Sequence, residues 1–306
     1  MNKETYYSNG KLLITGEYVV LDGALSLALP TKFGQSLIAE PIEEQILRWE
    51  SYDEQHNIWF ETTFLLEDGN ILQKSFPNDI SKRLLNILVT AKQLNSNFLN
   101  SNSGFKVSSY LDFKNQWGLG TSSTLINNIA NWAEIDAYKL LEQTFGGSGY
   151  DIACAQNNHP ITYQLLQGKP SVNSVEFNPE FKDHLFFVYL NKKQNSREGI
   201  SQYRSQKKVD LNTIEEISTI TSEIISCNTL ADFNKLIMAH ETIISKVIKQ
   251  KPIKECLFND FNGSIKSLGA WGGDFILAAS RQNPKPYFKN KGFETIISFE
   301  DMILQE

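Results

Sequence analysis

Three glycine-bearing segments hold the residues best suited to chemistry. The most informative is Gly118-Leu119-Gly120-Thr121-Ser122-Ser123-Thr124. Glycines there let the backbone turn tightly and approach a ligand closely. The run that follows reads as a helix over about residues 121–142. Free N–H groups and the positive end of the helix dipole would converge on such a loop, which suits phosphate. The hydroxyls of Thr121, Ser122 and Ser123 can cap the helix, bind a phosphate oxygen or hold Mg²⁺. A tight turn followed by an N-cap uses the same residues, so this segment alone leaves both readings open. No G-x-x-x-x-G-K-[ST] loop occurs anywhere in the chain, and a dinucleotide fingerprint would need a β-α-β setting that the pattern lacks.

The second segment, Gly146-Gly147-Ser148-Gly149-Tyr150-Asp151, puts a carboxylate directly after a glycine turn, at the start of a short helix. Asp151 is there either as an N-terminal helix charge or as a general base for a hydroxyl nucleophile. The third, Gly269-Ala270-Trp271-Gly272-Gly273-Asp274, interrupts a strand pair and reads as a hairpin turn or a ligand loop. Three such loops in one acidic chain point together to a phosphorylated ligand. A fourth segment, Asn191-Lys192-Lys193-Gln194-Asn195-Ser196-Arg197, follows a strand. Lys192, Lys193, Ser196 and Arg197 can hold an anionic group, Arg197 in bidentate fashion, or form a solvated basic turn. His240 lies in an apolar helical run and reads as a satisfied histidine, and Cys154 as a small core hydrophobe. Trp117 and Trp271 flank glycine loops, where they cover a ligand or simply pack.

The elements that must position these residues are mixed. Strands are expected at residues 11–21 (broken by Gly16-Glu17), 35–42, 46–52, 57–65, 104–113, 184–190, 264–279 (a pair) and 294–299. Helices are expected at 79–94, 121–142, 211–226 and 230–250, from apolar residues at helical spacing. Pro160, Gly168 and Pro170 punctuate a junction between residues 157 and 179. The chain lacks regular β-α-β alternation, so an α+β architecture is expected. Its 306 residues suit two domains, taken as 1–160 and 161–306.

Composition excludes several classes. The 29 basic and 35 acidic residues leave a net charge of −6, which speaks against duplex nucleic acid and anionic membrane as partners. Three widely spaced cysteines make neither a disulfide framework nor a zinc ribbon, and the four histidines form no H-E-x-x-H helix. No apolar run reaches 18 residues and no signal region follows Met1, so the expected compartment is the cytoplasm.

The motifs resemble those of the GHMP kinases (galactokinase, homoserine kinase, mevalonate kinase, phosphomevalonate kinase). Asn9-Gly10-Lys11-Leu12-Leu13-Ile14-Thr15-Gly16-Glu17-Tyr18 resembles their first motif, residues 118–123 their second, G-L-G-S-S, and residues 269–273 their third, G-A-G-x-G. Gly16-Glu17-Tyr18, Gly147-Ser148-Gly149-Tyr150-Asp151 and Gly272-Gly273-Asp274 are most similar to phosphomevalonate kinase. The resemblance implies a ribosomal-protein-S5-like N-terminal domain and a ferredoxin-like C-terminal domain, with ATP and substrate bound between them. It implies an ATP- and Mg²⁺-dependent kinase for a small anionic metabolite, phosphomevalonate ahead of mevalonate. Asp151 and Lys11 take catalytic roles in that reading. Gly118, Leu119, Gly120, Thr121, Ser122 and Ser123 wrap the ATP phosphates, with Ser122 on the metal. Lys192, Lys193, Ser196, Arg197, Gly269, Ala270, Gly272 and Gly273 fall on the substrate side. Departures are visible. Asn9 stands for the usual proline, and residues 114–117 replace the prolines and glycine before the second motif. Trp271 replaces a glycine of the third, and only 29 positions separate Ser122 from Asp151. Glu134 and Glu142 read as solvated helix charges rather than metal ligands. An ATP-dependent decarboxylase similar to mevalonate diphosphate decarboxylase and a non-catalytic ligand-binding relative are the alternatives. Monomer and homodimer both remain open.

Overall fold

The computed structural model describes residues 2–100, 103–205 and 209–305. Strand β1 (Glu4–Leu13) and a 3-10 turn at Val19–Asp22 lead into β2 (Ser26–Ile42), β3 (Ile46–Tyr52), β4 (Ile58–Glu67) and β5 (Asn70–Gln73). Helix α1 (Asp79–Leu94), β6 (Gly104–Leu111) and helices α2 (Thr121–Trp132), α3 (Ala137–Thr144) and α4 (Tyr150–Ala155) follow. Next come β7 (Ile161–Leu166), β8 (Lys169–Ser174), β9 (Leu185–Tyr189), α5 (Ser196–Arg204), α6 (Leu211–Ile225) and α7 (Leu230–Ile248). The chain closes with α8 (Ile253–Leu257), β10 (Ser264–Ser267), β11 (Phe275–Ala279), α9 (Lys285–Asn290), β12 (Ile296–Ser298) and α10 (Phe299–Met302). Packing groups these into two compact units. One holds Met1–Gly10, Phe33–Asn115 and Leu119–Gln156; the other holds Lys11–Lys32, Gln116–Gly118 and Asn157–Glu306.

In the first unit, β2 from Gln35 onward pairs antiparallel with β6, β6 parallel with β3, and β3 antiparallel with β4. Alternation along the strands turns Leu47 and Trp49 of β3 and Phe60 and Phe64 of β4 inward. They meet Leu84, Ile87, Leu88 and Ala91, the apolar stripe of α1. Helix α1 keeps the boundaries expected from the sequence because its start is closed by a reciprocal cap. Asn78 accepts from the Ser81 N–H at 2.8 Å, and the Ser81 hydroxyl accepts from the Asn78 N–H at 2.9 Å. The single helix expected over 121–142 is instead two. Glu134 adopts φ 54°, and the Asp136 side chain caps α3 by accepting from Tyr138 N at 2.8 Å. A local side-chain acceptor here outcompetes helix continuation.

In the second unit, β9 to β12 form an antiparallel sheet in the order β10-β11-β9-β12. The connection runs strand, helices, strand, strand, helix, strand, which is the ferredoxin-like plan. Strands β7 and β8 make a hairpin, and β7 pairs with Ser26–Ala28 at the start of β2. The strand expected over 11–21 stops at Leu13. Gly16 (φ 87°) and Tyr18 (φ 64°) then reverse the chain into the 3-10 turn. Only glycine fits at 16, since a Cβ there would collide with the Ser26 side chain. Ser196 and Arg197, which the sequence allows as the end of a basic turn, open helix α5 instead. Among the described residues no helix is long and apolar enough to cross a membrane.

Candidate active site

The first unit presents the start of α2. Gly120 holds φ 101°, and the helix opens with no side-chain cap. Its first N–H groups therefore lack the partner that a capping side chain would supply. The three hydroxyls after Gly120 differ in use. Ser123 donates to Gly120 O at 2.8 Å, and Thr121 donates to Asn115 Oδ1 at 3.4 Å. Ser122 is exposed and makes no hydrogen bond among the described residues. Helix α2 is fixed from below by buried polar groups that sequence reading missed. Thr124 donates to Gln35 Oε1 at 2.6 Å, and Gln35 donates to Ser109 Oγ at 2.7 Å. Asn128 donates to Gln35 O at 2.9 Å and accepts from Ser8 Oγ at 2.7 Å, while Asn127 donates to Ser8 Oγ at 2.9 Å. Gln156, at the end of α4, donates to Asn127 Oδ1 at 2.9 Å. Asp151 lies half-buried in the first turn of α4, after Gly149 at φ 90°. Helices α2 and α4, which carry Ser122 and Asp151, are thus tied to each other within one unit. A network of this kind holds one geometry when every member is satisfied.

The second unit gathers Lys11, Gly118, Lys193 and Asp274, a motif residue to which the sequence reading gave no role. Asp274 follows Gly273 with φ 52°. Its Oδ1 accepts from Gln194 N at 3.1 Å, its N–H donates to Lys192 O, and its carbonyl accepts from Leu190 N at 2.8 Å. Gly118 lies directly against the carboxylate, since a Cβ there would sit 2.5 Å from Oδ2. Burial pushes the Asp274 carboxyl up, while the Gln194 N–H, Lys11 and Lys193 pull the other way. Partial desolvation pulls the Lys193 ammonium down. Gly273 is required where it stands, because a Cβ would meet Lys192 O at 2.8 Å. The carbonyl of Ala270 accepts from the Tyr18 hydroxyl at 2.9 Å. Trp271 has a left-handed backbone, φ 56°, and sends its ring into the core with Val19, Tyr203 and Ile217. Trp271 therefore packs rather than covering a ligand. Trp117 packs edge-on against Phe275.

Other expected positions are accounted for individually. Ser196 and Arg197 open α5 and are exposed, as is Lys192. Gly269 (φ 59°) and Gly272 (φ 75°) supply the left-handed turns of the β10–β11 loop. Leu119 is buried. His240 and Cys154 are wholly buried, and Glu134 and Glu142 are exposed. The described residues contain no group of three or more His, Cys, Asp or Glu arranged for a metal. A nucleotide-borne Mg²⁺ needs no such cage, since it keeps water and phosphate oxygens and takes only one or two protein oxygens. The open hydroxyl of Ser122 is an oxygen of that kind.

By sequence the chain matches no family model and no curated protein. By structure it is similar over its full length to several solved proteins. Mevalonate kinase of Methanococcus jannaschii is 15% identical, with 100% of this chain and 99% of that one covered at a TM-score of 0.70. Phosphomevalonate kinase of Streptococcus pneumoniae, in complex with phosphomevalonate and AMPPNP, is 17% identical, with 99% and 98% covered at a TM-score of 0.66. Galactokinase of Lactococcus lactis, complexed with galactose, is 13% identical, with 94% and 88% covered at a TM-score of 0.65. The chain has the α+β fold shared by these GHMP kinases.

Proposed function

We propose that this chain, built on the GHMP kinase fold, is an ATP- and Mg²⁺-dependent kinase that phosphorylates a small anionic metabolite, with phosphomevalonate ahead of mevalonate as acceptor. The observation that carries the reading is the start of α2. An uncapped helix N-terminus follows a left-handed glycine, one hydroxyl is left open at Ser122, and buried polar residues hold the whole in place. Phosphoryl transfer asks for positioning and charge neutralisation more than for covalent chemistry. In this reading the N–H groups at residues 121–123 bind nucleotide phosphate oxygens. Ser122 supplies an oxygen to Mg²⁺, which when bound neutralises phosphate charge. Asp151 accepts the proton of a hydroxyl acceptor or, if the acceptor is already a phosphate, orients it. Lys11, beside Asp274, faces the transferring charge. Lys192, Lys193, Ser196 and Arg197 hold the anionic acceptor. The acceptor preference draws on the motif resemblance and on the likeness to the phosphomevalonate-bound enzyme of S. pneumoniae.

The test is an ATP-consumption screen over phosphomevalonate, mevalonate, homoserine and sugars, with Asp151→Asn as control and CO₂ release followed in parallel. The expected result is turnover with a mevalonate-series acceptor that the control loses. Turnover with a sugar alone would overturn the acceptor assignment. Failure to bind Mg-ATP by calorimetry would overturn the kinase assignment and favour a non-catalytic ligand-binding protein.

A further inference from the structure

Beneath the second unit's loops lies a cluster of charged residues that the proposed chemistry does not use. Lys266, on β10, is wholly buried. Its ammonium donates to Glu17 Oε1, to Glu241 Oε1 at 3.3 Å and to Ser267 O at 2.8 Å, so all three protons are committed. Glu241, on α7, accepts from Ser267 N and from Ser267 Oγ, each at 3.0 Å. His240, one residue earlier, accepts the Gly16 N–H on Nε2 at 2.9 Å. The same Nε2 is 3.5 Å from Glu17 Oε2, a buried oxygen with no hydrogen bond of its own. Three elements thus meet at one point: the turn after β1, helix α7 and strand β10. Uncharged groups also reach this turn, Ser26 of β2 against Gly16 and Thr221 of α6 on Thr15.

The position of this junction is informative. Lys266 and Ser267 immediately precede the loop that carries Gly269, Gly272, Gly273 and Asp274. Glu17 follows Lys11 by one short turn, and Tyr18 bridges directly to that loop through Ala270 O. A buried ion cluster is a poor source of stability, since apolar residues of similar volume do as well or better. What it supplies is one permitted geometry. Charge balance adds a constraint. Two ionised carboxylates against one ammonium and a neutral imidazole would leave a net negative charge away from water. A proton retained on a carboxyl removes that excess, and Glu17 Oε2, buried without a hydrogen bond, is the oxygen free to carry it.

We propose that Glu17, Lys266 and Glu241 are positioning residues that set the β1 end bearing Lys11 against the loop bearing Asp274, with Glu17 in its protonated form. The titration of the groups agrees. Burial pushes Glu17 up to about 7 against the pull of Lys266 and pushes Glu241 up as well. Burial, then Lys266, drives His240 well below its usual range, which keeps the imidazole a neutral acceptor.

The catalytic part of the test rests on the kinase reading; the structural part does not. Glu17→Gln copies the neutral acid: its oxygen accepts from Lys266 and its amide takes the place of Oε2 beside His240. Glu17→Ala removes both contacts. The expected result is near-parental kcat for Glu17→Gln. Glu17→Ala should lose kcat on the order of 10- to 100-fold, with a smaller change in the KM for ATP, as misplacement of a reacting group produces. Hydrogen exchange read without substrate should show faster exchange at residues 14–18 and 268–274 in Glu17→Ala and parental exchange in Glu17→Gln. Equal damage in both variants, or unchanged exchange at both segments in folded Glu17→Ala, overturns the positioning role. Normal exchange behaviour without any kinase activity would instead count against the function proposed above. If Glu17→Ala does not fold, Glu241→Gln replaces it. That variant should make Glu17 more acidic, so that protection of residues 268–274 is lost at lower pH than in the parent, and an unshifted pH dependence overturns the proton assignment.

Discussion

Replacing Gly118 by alanine tests the arrangement around Asp274. Gly118 holds φ +69°, where an L-residue costs about 1–2 kcal/mol. The new Cβ would sit 2.5 Å from Oδ2 and 2.7 Å from Oδ1 of Asp274. Asp274 cannot simply swing away. Its Oδ1 holds the Gln194 N–H at 3.1 Å, and its backbone is bonded on both sides to Lys192 and Leu190. Reaching an ordinary contact of 3.4 Å requires a shift of roughly 1 Å, and overpacking of that size costs about 1–3 kcal/mol. The expected loss is about 2–5 kcal/mol in all. Gly146 is the control. It has φ +64° with nothing within 4 Å of its Cβ, so alanine there costs only the conformational part, about 1–2 kcal/mol. Urea unfolding of both variants measures the difference. Adding Asp274→Ser to Gly118→Ala removes the carboxylate and should return about 1–3 kcal/mol in a double-mutant cycle. If Gly118→Ala costs no more than Gly146→Ala, or if the cycle shows no coupling, the placement of Gly118 on Asp274 is wrong.

Three further outcomes follow from the site. Asp151→Asn should lower kcat by about 10²-fold or more, by loss of orientation for a phosphate acceptor or of the base for a hydroxyl acceptor, while Mg-ATP affinity by calorimetry stays near parental; near-normal turnover would refute the role. Arg197→Ala should raise the acceptor KM about tenfold or more, the cost of a lost charge-assisted pair, with a smaller change for ATP; an unchanged acceptor KM would remove Arg197 from the substrate side. Stability should also depend on pH through Glu17, whose folded value near 7 lies above its usual 4.5. A raised carboxyl contributes stability that is fully present below the unfolded value and is lost as pH rises through the folded one. The loss between about pH 4.5 and 7 is on the order of 3 kcal/mol. Melting temperatures of the parent should fall across that window relative to Glu17→Gln, and parallel curves would rule the titration out.

Local chemistry was legible from the residues alone. Helix α1 occupies residues 79–94 as its apolar spacing implies, because that signal lies within the helix itself. The glycine loop opens onto a helix at Thr121, and the loop at 269–274 joins two antiparallel strands. Gly16-Glu17 marks a break in the apolar run over 11–21, but the sequence does not reveal that Gly16 and Tyr18 reverse the chain there. Nor does helical spacing over 121–142 reveal that Asp136 starts a second helix. The motif order carried the fold resemblance, since glycines required for backbone reasons recur at recognisable spacing. Tertiary structure alone decided the rest. Glu17 and Lys266 are 249 residues apart, and Thr124 and Gln35 are 89 apart. The meaning of a buried charge or amide depends on the partner that satisfies it, and that partner is chosen by how strands and helices pack. Asp274 shows the same dependence. In sequence it is one acidic residue after a glycine pair; in the fold it is the carboxylate on which Gly118 rests, with Lys11 and Lys193 acting on it.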